Sequence, residues 1–299
     1  MAPGIPAEGG AATPRPFGER LDEAFAAHGH LCVGIDPHAY LLERWGLPAT
    51  ADGARAFGLR VVEASAGRTG VVKPQISFFE RFGSAGYAAL EEILGAARAA
   101  GLLVIADVKR GDVGSTLDAY SEAWLSPGSP LEADAMTLNP YQGFGTLRHP
   151  LELARTQGKG LFVLAATSNP ESASVQTSRR VRGSMEGRTV AGGVAGRAAA
   201  WNRAHASGAT GSVGVVLGAT VDMDALGIDL DELGATPRTP ILAPGFGHQG
   251  VPFENVRDIF GAAADATIVN ASRSLLEAGP SGLVDAIDRQ NEVLQKAFQ

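Results

Sequence analysis

Leu102-Leu103-Val104-Ile105-Ala106-Asp107-Val108-Lys109-Arg110-Gly111-Asp112 runs an apolar strand pattern straight into two carboxylates and an ammonium. Alternate side chains of a strand share a face, so Leu103, Ile105, Asp107 and Lys109 are expected to point one way. A charged pair crowning a column of core residues is costly unless the charges are partnered or used.

Seven further short runs resemble this one: Leu31 to Ile35, Gly70 to Lys73, Asp134 to Leu138, Leu161 to Ala166, Ser212 to Leu217, Pro240 to Ala243 and Ala266 to Asn270. Helical stretches separate them. Strands that alternate with helices pair in parallel, and eight such units in 299 residues predict a closed (β/α)8 barrel of the TIM type. The expected organisation is a tail at residues 1–14, disordered because it is rich in Ala, Gly and Pro, followed by one barrel domain over 15–299. An open doubly wound sheet is the alternative. Against it, Gly34-Ile35-Asp36-Pro37-His38 follows the first strand where a dinucleotide-binding G-x-G-x-x-G turn would stand.

Composition narrows the function classes. A net charge of −7 argues against a general nucleic-acid or anionic-membrane surface, and no apolar stretch reaches the roughly 18 residues that span a bilayer. The N-terminus lacks the basic start and apolar core of a secretion signal, and Cys32 is the only cysteine. A disulfide framework and a thiolate metal cluster are therefore excluded, and a reducing, cytoplasmic setting fits.

Nearly every strand ends in polar or small residues, at the end where barrels build active sites. Lysine usage sharpens this pattern. Only four of the 25 basic residues are lysine, and two of them, Lys73 and Lys109, end predicted strands. Lysine can release a proton near neutral pH, which arginine cannot. A plain barrel-top salt bridge between Lys109 and Asp107 is the structural alternative. Asp112 lies beyond the strand end and off its face; alone, it reads as a loop carboxylate or as a group serving a neighbouring chain. Asp36, in an Asp-Pro turn at the barrel mouth, is a further candidate.

Pro244-Gly245-Phe246-Gly247-His248-Gln249-Gly250 after the seventh strand and Asn270-Ala271-Ser272-Arg273-Ser274 after the eighth occupy the usual phosphate position of such barrels. Glycines admit backbone N–H groups, a helix start there would add partial positive charge, and Arg273 can bind oxygens bidentately. Ser274 with Glu277 matches a capping box. Pro170 to Gly208, which carries Arg179, Arg180, Arg182 and Arg188, reads equally as a lid or a surface excursion. His28-Gly29-His30 has metal-ligand spacing but precedes the first strand, at the wrong end of the barrel, so no metal is expected.

Taken together, Asp107-x-Lys109-x-x-Asp112, Gly34-Ile35-Asp36-Pro37 and Val72-Lys73-Pro74-Gln75 resemble orotidine 5′-phosphate decarboxylase, in its longer bacterial type. The likeness continues through Leu138-Asn139-Pro140-Tyr141-Gln142-Gly143-Phe144-Gly145, Ala166-Thr167-Ser168-Asn169-Pro170, Ala243-Pro244-Gly245 with Gln249, and Asn270-Ala271-Ser272-Arg273. It spans the chain from about Phe17 onward.

The resemblance implies a cofactor-independent lyase that converts orotidine 5′-phosphate to uridine 5′-phosphate and carbon dioxide, the last step of de novo pyrimidine nucleotide synthesis. It implies that Lys109 stabilises and protonates the carbanion, that Asp107 faces the departing carboxylate, and that Lys73 holds Asp107 and a ribose hydroxyl. Asp36 would bind the ribose, Ser168 the pyrimidine, and Gln249 with Arg273 the phosphate. Asp112 would enter the partner's site across a homodimer interface, with Thr116 at the ribose or the interface. Two alternatives remain: a magnesium-dependent sugar-phosphate decarboxylase of the same barrel group, and a silent phosphate-ligand binding protein.

Overall fold

Each of the eight apolar runs forms a strand in the computed structural model, which describes residues 14–299. They are β1 (Leu31–Ile35), β2 (Val71–Pro74), β3 (Leu103–Arg110), β4 (Ala135–Leu138), β5 (Gly160–Ala166), β6 (Val213–Leu217), β7 (Ile241–Pro244) and β8 (Thr267–Ala271). All neighbours pair in parallel, and β1 pairs with β8 to close the barrel. The expected disordered tail lies outside the described residues, apart from Pro14.

Two apolar layers follow from strand alternation. Inside the barrel, Cys32, Val71, Leu103, Ile105, Ala135, Phe162, Val216, Leu242 and Ile268 pack together. The helix Phe17–His28 plugs the lower end of this layer: Phe17 is fully buried and meets Phe162 edge to face at 5.9 Å. The outward-facing strand residues, among them Val33, Val72, Val104 and Val215, belong to the larger core beneath the surrounding helices. With the lower end filled, the interior is open only at the carboxyl ends of the strands.

One strand departs from regular pairing. Ala106 pairs with Met136 and Arg110 with Leu138, so Asp107, Val108 and Lys109 of β3 lie opposite Thr137 alone. Lys109 takes a left-handed backbone conformation there, with φ of +47°. Simple alternation is thus broken by a bulge, a device that re-aims side chains beside functional sites.

The segment after β5 is ordered around two features. Arg179 bridges Thr189 in antiparallel fashion, and Gln176 exchanges hydrogen bonds with the backbone N–H and hydroxyl of Thr167 at 3.0 and 2.9 Å. Two of its arginines have partners outside the cavity. Arg188 pairs with Glu232 at 2.6 Å, and Arg179 donates to the Gly187 carbonyl at 2.7 Å. At the opposite end of the barrel, His30 is stacked between Phe25 and Phe298 and contacts the Thr267 carbonyl at 3.0 Å. Burial pulls its pKa down to about 4, as befits a packing residue.

Candidate active site

The open end holds a cavity of about 230 Å³ whose wall includes Asp36, Lys73, Asp107, Lys109, Ser168, Gln249 and Arg273. Seven of the nine candidates read from sequence therefore converge. Asp112 and Thr116 do not line it. Asp112 sits past the end of β3 and accepts a hydrogen bond from the Val113 N–H at 2.8 Å, while Thr116 is exposed on the helix Gly114–Leu125.

Charge is layered at the cavity floor. Lys73 Nζ donates to Asp107 Oδ2 at 2.9 Å, and Lys109 Nζ donates to Asp107 Oδ1 at 2.6 Å. Lys73 and Asp107 have side chains only 6% and 8% exposed, whereas Lys109 is 44% exposed. Burial by itself would raise the Asp107 pKa, but the two ammonium groups outweigh it and hold the carboxyl well below the usual carboxylate range. Burial would likewise lower Lys73, yet Asp107 and then Asp36 outweigh it and push the ammonium above its ordinary value. The floor thus keeps a permanent anion between two cations, only one of which faces outward.

Two polar residues without an assigned role join the lining, and one of them contacts this set. Gln75 Oε1 accepts from Lys109 Nζ at 3.4 Å, and its amide donates to the Asp107 carbonyl at 3.3 Å. Asn270 lines the same wall. Both stand in the quoted motifs, but spacing alone does not distinguish such residues from strand caps.

Across the mouth, Ser168 Oγ donates to Gln249 Oε1 at 3.4 Å, tying the loop after β5 to the loop after β7. The latter turns through Gly245, whose φ of +119° excludes ordinary side chains. Beside it, β1 approaches the loop after β8 so closely that a Cβ on Gly34 would lie 1.8 Å from Ser272 Oγ. The capping box does not form. The helix there begins at Arg273, spans only Arg273–Leu276 and has no side-chain cap, and the buried hydroxyl of Ser274 has no partner. Glu277 instead accepts from the Tyr40 hydroxyl at 3.1 Å. One helical turn has little macrodipole, so the helix start adds little of the positive charge expected there, and Arg273 is the cationic side chain at this edge of the cavity. Among the described residues, no three His, Cys, Asp or Glu side chains converge as a metal-holding group.

Residues 29–284 match the model of the Orotidine 5′-phosphate decarboxylase / HUMPS family. The chain belongs to this family. An orotidine 5′-phosphate decarboxylase of Nocardioides sp. is 50% identical over 281 residues, covering 94% of this chain and 99% of the relative. That of Corynebacterium glutamicum is 45% identical over 282 residues, covering 94% and 96%. Among solved structures, a Streptomyces avermitilis protein superposes with a TM-score of 0.88 at 46% identity, covering 97% of this chain and 98% of the other. Leishmania donovani OMP decarboxylase gives a TM-score of 0.71 at 31% identity, covering 95% and 100%. The barrel is thus that of the orotidine 5′-phosphate decarboxylase family.

Proposed function

We propose that this protein decarboxylates orotidine 5′-phosphate to uridine 5′-phosphate and carbon dioxide, as the closing step of pyrimidine nucleotide synthesis. The observation that carries the reading is the buried Lys73–Asp107–Lys109 array, with its one outward cation, in a cavity edged by Arg273.

The chemistry follows from charge placement. When the bond between C6 and the carboxylate breaks, carbon dioxide departs neutral and the electron pair stays on C6, in an orbital the ring cannot delocalise well. A cation preorganised beside that carbon lowers the barrier without solvent reorganisation. Both lysines line the cavity, and Lys109 is the one whose ammonium is exposed in it. It then gives its proton to C6, completing uridylate, and regains one from water. Asp107 holds the ammonium in place and presents negative charge toward the departing carboxylate, while Lys73 keeps Asp107 ionised.

The remaining residues supply binding. Asp36 Oδ1 is buried without a hydrogen-bond partner, and a ribose hydroxyl donor would satisfy it. Ser168 reads the pyrimidine, and Gln249 with Arg273 grips the phosphate, whose binding energy is realised at the reacting carbon. No cofactor is required by this scheme.

A homodimer completes it. Asp112 does not line its own cavity, and the surface of the same chain exposes Val113 at 52%, Tyr120 at 38% and Tyr141 at 81%. A second copy covering this face would receive Asp112 at its own site, with Thr116 at the contact. The protein acts in the cytoplasm as one barrel domain over residues 15–299. Nucleic acid and membrane are not partners in this reading; no helix among the described residues is long and apolar enough to cross a bilayer.

The test is loss of orotidylate absorbance, with and without excess chelator, in the wild type and in Lys109→Ala. Full wild-type turnover in chelator and none in Lys109→Ala, with uridylate still bound, are the expected results. Chelator-sensitive turnover would favour a magnesium-dependent sugar-phosphate chemistry instead. Near-normal activity in Lys109→Ala would remove the proposed acid.

A further inference from the structure

The bulge in β3 leaves the candidate acid with an unusual support. Because Asp107, Val108 and Lys109 lie opposite Thr137 alone, the regular ladder of backbone hydrogen bonds lapses there. The Lys109 N–H donates instead to Thr137 Oγ1 at 2.8 Å. The same hydroxyl donates to Asp107 Oδ1 at 2.9 Å, and that carboxylate oxygen receives Lys109 Nζ at 2.6 Å. A hydroxyl has one proton to give and lone pairs to receive, so both contacts can form at once. The result is a closed ring from the Lys109 backbone through Thr137 and Asp107 to the Lys109 ammonium.

Thr137 is fully buried in β4 and does not line the cavity, so it acts only through its two neighbours. Its hydroxyl holds the backbone end of Lys109 and the Asp107 oxygen that in turn holds the ammonium end. Without it, the left-handed Lys109 backbone loses its hydrogen bond and Asp107 loses its one uncharged side-chain donor. We infer that Thr137 is a positioning residue for the decarboxylation, holding the Lys109 ammonium and the Asp107 carboxylate in reacting register through its hydroxyl rather than its bulk. The inference rests on the reading of Lys109 as the proton donor.

Two pairs of variants isolate the hydroxyl. Thr137→Val keeps the volume and removes the oxygen; Thr137→Ser and Thr137→Ala share one small volume and differ by the hydroxyl alone. A displacement of about 1 Å can cost on the order of 100-fold in rate. The expected result is therefore a kcat lowered by about 10- to 100-fold in Thr137→Val and Thr137→Ala, with Thr137→Ser within about threefold of wild type. Uridylate affinity, set by the phosphate and ribose contacts, should stay within about twofold in all three.

Wild-type kcat in Thr137→Val would overturn the inference. So would equal losses in Thr137→Ser and Thr137→Ala, which would assign the effect to the missing methyl group, or a loss of uridylate binding matching the loss of kcat. If Thr137→Val does not fold, the serine and alanine pair decides by the same comparison. Lys109→Ala separates the two levels. If it is inactive while Thr137→Val is normal, only the positioning role fails; if it remains active, the reading of Lys109 fails and this inference with it.

Discussion

The Lys73 ammonium and the Asp107 carboxylate meet at 2.9 Å with both side chains almost wholly enclosed, at 6% and 8% exposure. Removing one partner from such a pair strands the other as a buried charge, which is far more damaging than losing a surface ion pair.

Asp107→Asn should therefore destabilise the protein by about 3 kcal/mol near neutral pH. The dependence on pH has a definite sign. The Asp107 pKa is lowered by folding, so its contribution is complete above the unfolded value of about 4 and is lost as pH falls through the folded value. The Lys73 pKa is raised, so its contribution is complete below about 10.5 and is lost as pH rises through the folded value. Urea unfolding of wild type and variant should show a constant gap from about pH 5 to 9 that narrows below about pH 4. A gap of unchanged size well below pH 4 would show that Asp107 is not held ionised.

Mixing Asp112→Ala chains with Lys109→Ala chains should restore activity that neither homodimer has. In a hybrid, the barrel that keeps Lys109 receives the intact Asp112 of its companion, and one site of two is complete. Random exchange would then recover about one quarter of wild-type turnover. Verified hybrids without recovery would place Asp112 outside the shared site.

Arg273→Ala should weaken uridylate by about 10- to 100-fold, the value of a charge-assisted bidentate contact, while uridine binding changes little. Calorimetric titration of both ligands distinguishes the two effects. Equal losses for nucleotide and nucleoside would move the phosphate site away from the loop after β8.

Strand positions were legible because burial on both faces leaves continuous apolar runs, and the expected ends differ from the observed ones by a residue or so, as at Gly160 and Pro74. The polar strand ends likewise announced the cavity. The bulge was not legible: nothing in Asp107-Val108-Lys109-Arg110 requires a left-handed residue, since none of the four is glycine. Thr137 left a fainter sign, as the one hydroxyl within Ala135-Met136-Thr137-Leu138, but a buried threonine in a strand is ordinary until its partners are known. The Ser274 cap was misplaced because the chain turns into its helix two residues earlier, with Ser272 at the N-cap position and Arg273 as the first helical residue. Arg179 and Arg188 had no role legible in sequence, because their partners, a carbonyl in one case and a distant Glu232 in the other, are set by the fold.

The left-handed Lys109 sets the site against the rest of the fold. A lysine in that conformation costs about 1 kcal/mol more than glycine would, because its Cβ crowds the following carbonyl. Glycine at this position would relieve the backbone cost but would also take the ammonium out of the cavity and off Asp107. Local stability and the charge layout of the cavity floor therefore place opposite demands on one residue.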